Sequence, residues 1–174
     1  ALLTRLEAWL PSAAAGAGRP DWSATAFRWR APGLQAVQHP HRLALADLCH
    51  IDYQRYELER NTRQFLAGLP ANNALLWGAR GTGKSSLVKA LLNHYAGQGL
   101  RLIEVQPQDL KDLPDIVAPL FDRPERFILF ADDLTFAAHD PSYTALKAIL
   151  DGSIASVPDN VIVYATSNRR HLLP

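Results

Sequence analysis

Short apolar runs alternate along this chain with segments whose apolar residues recur every three or four positions. The apolar runs predict four β-strands, over residues 73–77, 100–105, 127–131 and 161–166. The helical periodicity predicts helices over 84–96 and 141–150, with one or two short helices over 109–121. Because strands and helices alternate, we predict an α/β fold with a mostly parallel sheet and helices on both faces.

The N-terminal part is less regular. Apolar spacing predicts a short helix over residues 2–10 and a linker rich in small residues over 11–25. Residues 47–68 are predicted to form a turn and then a helix of about 16 residues, with its N-cap at Ile51 or Asp52. Residues 27–30, Phe-Arg-Trp-Arg, are typical either of a short edge strand or of a contact with single-stranded nucleic acid. We favour the edge strand, because four residues are too few to form a groove. We therefore predict a partly irregular extension over 1–40 and a core over 41–174.

A glycine-rich loop (residues 78–85) lies between the first predicted strand and its helix. Its sequence is Gly78-Ala79-Arg80-Gly81-Thr82-Gly83-Lys84-Ser85. Glycines at this spacing allow successive backbone N–H groups to point at one anion, and the following helix N-terminus adds positive potential. We expect Lys84 to reach the β- and γ-phosphates and Ser85 to bind Mg²⁺. The pattern predicts binding of ATP or GTP, and the alternative is a glycine-rich turn without a ligand.

Polar residues follow the third and fourth predicted strands. Asp132 and Asp133 end one strand, and Asn168 follows the other. Because ligands bind beyond the carboxyl ends of parallel strands, we expect Asp132 to hold Mg²⁺ through water and Asn168 to contact the γ-phosphate or the attacking water. The alternative for Asp132 and Asp133 is an ordinary polar turn at the end of the strand, and the alternative for Asn168 is an asparagine that shapes a turn.

Composition excludes several classes of protein. The net charge of +1 gives no general electrostatic reason to bind nucleic acid, and a single cysteine excludes a disulfide framework. No apolar run approaches the roughly 20 residues that span a bilayer, and no signal peptide is recognisable, so we expect a cytoplasmic protein without a membrane contact. The absence of methionine and the strand so close to the last residue suggest a fragment of a longer protein.

Together these motifs resemble the core of AAA+ ATPases, and more narrowly a bacterial family of functionally uncharacterised AAA+ proteins. The similarity covers about residues 43–174 and is strongest over 75–91, 127–134 and 165–172. It implies a P-loop NTPase fold with a five-stranded sheet of order 5-1-4-3-2. It also implies homo-oligomers, often hexameric rings, with ATP at the subunit boundary, and a Mg²⁺-dependent ATPase that remodels or loads an unknown macromolecular partner.

The resemblance also assigns roles to single residues. It implies a Walker A site over residues 78–85, a Walker B site at Asp132 and Asp133, and a sensor at Asn168. The predicted metal ligands are Ser85 and Asp132, and the predicted catalytic residues are Lys84, Asp133 and Asn168. The ATP-binding residues that we predict are Gly78, Ala79, Arg80, Gly81, Thr82, Gly83, Lys84, Ser85 and Ser86, with Ile51 packing against the base.

Two departures from the family pattern change the expected activity. Many AAA+ proteins carry glutamate as the general base where this chain has Asp133, whose side chain is about 1.5 Å shorter, so we predict slow hydrolysis. The helical lid with its sensor arginine lies outside this chain. Arg169 and Arg170 are either an arginine finger or surface residues. The alternative functions are a switch or scaffold that binds ATP with little turnover, and a loader associated with nucleic acid.

Overall fold

The computed structural model describes residues 19–38, 40, 42–49, 51–135, 140–151 and 157–168. The helix predicted over residues 2–10, most of the predicted linker, and both Arg169 and Arg170 lie outside the described residues. Within the described ranges, no helix is long and apolar enough to cross a membrane.

The centre of the fold is a six-stranded sheet. Its strands are β1 (Ala26–Arg30), β2 (Gly33–Ala36), β3 (Ala74–Trp77), β4 (Leu100–Glu104), β5 (Arg126–Ala131) and β6 (Val161–Ser167). They are arranged in the order β2-β1-β4-β5-β6-β3, with β2 antiparallel to β1 and every other pair parallel. The predicted sheet of five strands in the order 5-1-4-3-2 is therefore wrong in number and order. The mostly parallel sheet is confirmed.

Strands β1 and β2 come from the segment that was predicted to be an extension, in which only a short edge strand over 27–30 was expected. Phe27 and Trp29 are almost completely buried, and the indole N–H of Trp29 donates to Asp112 Oδ2 at 3.1 Å. Arg28, on the opposite face of β1, pairs with Glu104 of β4 at 3.0 Å. Because β1 pairs with β2 on one side and with β4 on the other, it lies inside the sheet and not at its edge as predicted. The buried rings are also unavailable to stack on nucleic acid bases.

Helices cover both faces of the sheet, as predicted. Helices α1 (Asp52–Leu66) and α2 (Lys84–Tyr95) pack on one face, and α3 (Leu113–Val117) and α4 (Pro141–Leu150) pack on the other. Helix α1 begins at Asp52 with its N-cap at Ile51, as predicted, and Leu45–Asp47 forms a separate 3-10 turn before it. The remaining 3-10 turns are Ala96–Gln98, Pro107–Asp112 and Ala118–Leu120.

A buried polar cluster connects β6 to α1. The hydroxyl of Tyr164 lies 2.8 Å from Thr62 Oγ1 and accepts a hydrogen bond from Asn61 Nδ2 at 2.9 Å. Thr62 also donates to the backbone oxygen of Leu58 at 2.7 Å. Because a threonine hydroxyl has only one proton, Tyr164 must donate to Thr62. Burial raises the pKa of the Tyr164 hydroxyl, so this donor stays protonated at neutral pH.

Candidate functional site

The sheet order brings the carboxyl ends of β5, β6 and β3 to one edge, and the glycine-rich loop begins there. Residues 78–83 leave β3, and α2 starts at once with Lys84 and Ser85. Gly81 and Gly83 have φ angles of +78° and +84°, in the left-handed region that glycine adopts without steric strain. The backbone at these two glycines allows the chain to pass from the end of β3 at Trp77 to the start of α2 at Lys84.

The side chain of Lys84 folds back over this loop. Its Nζ donates to the backbone oxygens of Gly78 at 2.9 Å and Ala79 at 2.7 Å, and to Thr82 Oγ1 at 3.2 Å. Thr82 in turn donates to the oxygen of Ala79 at 2.9 Å. The ammonium group is therefore held at the loop by neutral acceptors, and an anionic ligand could replace them with acceptors of opposite charge.

Asp132 connects the loop to two other elements. Its Oδ1 accepts hydrogen bonds from Ser85 Oγ, on α2, and from Thr166 Oγ1, on β6, each at 2.5 Å. These partners lie 47 and 34 positions away in the sequence. Only the sheet order brings the three side chains together.

Asp133 adopts an unusual backbone conformation and contacts Thr166, Asn168 and Arg80. It is the only non-glycine residue among those described with a positive φ, +55°. Its N–H donates to Thr166 Oγ1 at 2.9 Å, and its Oδ1 accepts from Asn168 Nδ2 at 2.5 Å. Its Oδ2 lies 3.5 Å from the guanidinium of Arg80, which is 85% exposed. The carboxylate of Asp133 is thus partly exposed and engaged by two side chains.

These residues surround one cavity of about 230 Å³. It is lined by residues 80–86 of the loop and of α2, and by Asp132, Asp133, Thr166 and Asn168. The structure therefore brings together all the predicted site residues except Gly78, Ala79 and Ile51 in the walls of this cavity. Gly78 and Ala79 do not line the cavity, and their backbone oxygens accept hydrogen bonds from Lys84 Nζ.

A second cleft continues from this cavity past Gly81–Gly83. It measures about 370 Å³ and is lined on its other side by Asp47, Leu48, Cys49 and Ile51. Ile51 is buried, and a Cβ on Gly83 would lie 3.5 Å from its Cδ1. The predicted base-contacting residue is therefore next to the loop. A larger cavity of about 650 Å³ lies elsewhere, between residues 42–46 and helices α1 and α2.

Ser85 and Asp132 are chemically suited to a magnesium ion. They supply a hydroxyl and a carboxylate oxygen, and Mg²⁺ prefers such hard ligands while retaining several waters and phosphate oxygens. Across the described part of the chain, no group of three or more His, Cys, Asp or Glu residues forms a metal site. A cation at this position would therefore depend on water and on a phosphate-containing ligand for most of its coordination.

The sequence did not predict the contacts that Thr166 and the side chain of Arg80 make in the site. Thr166 was assigned only to a strand, and its hydroxyl at the end of an apolar run gave no indication of its partners, which are 33 and 34 positions away in the sequence. Arg80 was expected to contribute as part of the loop, and no local pattern indicates that its side chain pairs with Asp133.

Comparison with known proteins gives a family but no activity. The model of the family described as "Protein of unknown function (DUF815)" matches residues 22–174. No curated protein matches the chain.

Proposed function

Since the chain belongs to the DUF815 family, whose description names no activity, we propose a function from its own residues: the chain binds ATP with Mg²⁺ and hydrolyses it slowly. The observation that carries this proposal is the contact of Ser85 with Asp132 across the cavity. It joins the start of a helix that follows a glycine-rich loop to a carboxylate at a strand end, which is the arrangement that a phosphate-bound cation needs.

The loop and Lys84 are proposed to bind the phosphates. Backbone N–H groups of the loop and the start of α2 provide donors for the phosphate oxygens. Lys84 would exchange the oxygens of Gly78 and Ala79 for phosphate oxygens, which adds the attraction of opposite charges to hydrogen bonds that the ammonium group already makes. The nucleotide base would lie in the second cleft, whose volume is about 370 Å³, against Ile51.

Asp133 is the proposed general base, and its surroundings support slow turnover. Arg80 and Asn168 already occupy acceptor positions on its carboxylate, so an attacking water has to use those that remain. Asn168 would orient this water or contact the γ-phosphate. The short aspartate side chain must also reach the water, which lowers the rate further.

We propose an AAA+ type of core for this ATPase, on the basis of the sequence resemblance. Copies of the chain would assemble around the nucleotide, and hydrolysis would drive remodelling or loading of a macromolecular partner. A second candidate is a switch or scaffold that binds ATP with hardly any turnover, and the contacts of Arg80 and Asn168 with Asp133 favour it. The loader associated with nucleic acid loses support, because Phe27 and Trp29 are buried.

The test compares Lys84→Ala with Lys89→Ala, a lysine on the same helix that instead faces Glu104 at 3.9 Å. We expect Lys84→Ala to weaken ATP binding about 10- to 150-fold, since a hydrogen bond to a charged group contributes about 1.5–3 kcal/mol. Lys89→Ala should bind like the parent. Isothermal titration calorimetry measures the affinity.

Cys49 provides a second readout, because it is the only cysteine and lines the second cleft. Saturating ATP should slow its alkylation by N-ethylmaleimide in the parent and in Lys89→Ala, but not in Lys84→Ala at the same concentration. Equal ATP affinity in the two lysine variants would contradict the assignment of the loop. Steady-state turnover at or above about 1 s⁻¹, the lower end of common enzyme rates, would contradict slow hydrolysis and exclude the switch.

A further inference from the structure

We infer that Thr166 is a positioning residue that orients Asp132 and Asp133 together and thereby sets how tightly the site holds Mg²⁺ with ATP. The inference rests on the proposed function and assigns the cation-binding step to a residue outside the motifs that predicted it. The observation behind it is that one buried hydroxyl on β6 contacts both aspartates.

The hydroxyl of Thr166 makes two different hydrogen bonds. It donates to Asp132 Oδ1 and accepts from the backbone N–H of Asp133. A hydroxyl has one donor and two acceptor positions, so both bonds form at once. Thr166 is only 2% exposed, so water cannot easily replace either bond.

The first bond determines which oxygen of Asp132 faces the cavity. Thr166 and Ser85 both donate to Oδ1, and no donor for Oδ2 is found among the residues that the structure describes. Oδ2 is therefore the oxygen available to a cation or to its bound waters. Without the Thr166 hydroxyl, the carboxylate is held through Ser85 alone and can rotate.

The second bond stabilises the turn that presents Asp133. This residue has a left-handed backbone, which is unfavourable for most side chains. The Thr166 hydroxyl accepts its N–H, and the backbone oxygen of Thr166 accepts the N–H of Leu134 at 2.8 Å. Thr166 thus binds two consecutive N–H groups of the turn, and its hydroxyl couples the direction of Asp133 to the orientation of Asp132.

The experiment compares Thr166→Val, which keeps the shape but removes the hydroxyl, with Thr166→Ser, which keeps the hydroxyl. Thr62→Val is the matched control, because Thr62 is also buried and hydrogen-bonded but lies under β6 beside Tyr164. For each protein, ATP affinity is measured by calorimetry in EDTA and across a Mg²⁺ series, and urea unfolding gives the stability. Hydrolysis is followed over the same Mg²⁺ series.

We expect Thr166→Val to raise the Mg²⁺ concentration for half-maximal enhancement of ATP binding by about 10- to 100-fold, the usual effect of removing a group that orients a metal ligand. Its ATP affinity in EDTA should stay within about twofold of the parent, because the loop and Lys84 are unchanged. Thr166→Ser should restore the parent Mg²⁺ dependence. Thr62→Val should lose stability without any change in Mg²⁺ dependence.

A parent-like Mg²⁺ dependence in Thr166→Val, or equal defects in the valine and serine variants, would overturn the inference. If Thr166→Val does not fold, Thr166→Ala replaces it with the same expected outcomes. Absence of ATP binding by the parent, with and without Mg²⁺, would instead overturn the proposed function, and this inference with it.

Discussion

Replacing Gly83 with alanine tests whether the backbone shape of the glycine-rich loop binds phosphate. Gly83 has a φ of +84°, and an added Cβ would meet only Ile51 Cδ1, at the ordinary contact distance of 3.5 Å. The substitution therefore introduces no collision. Its cost is the left-handed conformation itself, about 1–2 kcal/mol for a residue with a side chain.

Gly99→Ala provides a control with the same backbone cost. Gly99 has a φ of +91°, and a Cβ there would meet nothing within 4 Å. It directly precedes β4, whereas the loop follows the carboxyl end of β3, so Gly99 lies at the opposite edge of the parallel sheet. We expect both variants to lose about 1–2 kcal/mol of unfolding free energy in urea.

The two variants should differ in ATP affinity. In Gly83→Ala, relaxation of the strained residue turns N–H groups at the start of α2 away from the phosphates. Loss of one such bond to a charged group costs about 1.5–3 kcal/mol, so the dissociation constant should rise at least about tenfold. Gly99→Ala should bind ATP like the parent. Calorimetric titration with Mg·ATP measures both, and equal affinities at equal stability loss would refute a phosphate-binding role for this backbone.

Two further predictions concern buried tyrosines. Tyr164→Phe should cost about 1 kcal/mol in urea unfolding, because Thr62 still donates to a backbone oxygen and Asn61 Nδ2 still bonds to the oxygen of residue 72; a loss above about 3 kcal/mol would show that these partners are left unsatisfied. Burial, followed by the hydrogen bond to Glu59, raises the pKa of Tyr95 to about 12. Between pH 10 and pH 12 the unfolded tyrosine therefore binds fewer protons than the folded one, and stability should fall by up to roughly 3 kcal/mol as pH rises. Unfolding of Tyr95→Phe should depend less steeply on pH across this window, and an identical slope in parent and variant would contradict the assignment.

Local signals in the sequence were sufficient for most individual elements. The helix over 141–150 was predicted with its observed bounds, because Asp140 caps it and a proline occupies its first turn. The strands β3, β4, β5 and β6 were predicted within one residue of their observed bounds. For β5 and β6 the reason is that strands buried on both faces are almost continuously apolar. The glycine spacing located the loop, because the backbone angles that require glycine occur at positions close together in the sequence.

Local patterns were therefore enough to predict the class of fold, the glycine-rich loop, and the aspartates and asparagine that line its cavity. The folded chain was needed to show that β1 and β2 complete the sheet, that Arg80 pairs with Asp133, and that Thr166 contacts both aspartates. These features depend on pairing between segments tens of residues apart, and such pairing leaves no periodic pattern in either segment. A threonine at a strand end has the same local appearance whether its hydroxyl meets solvent or two carboxylate-bearing residues.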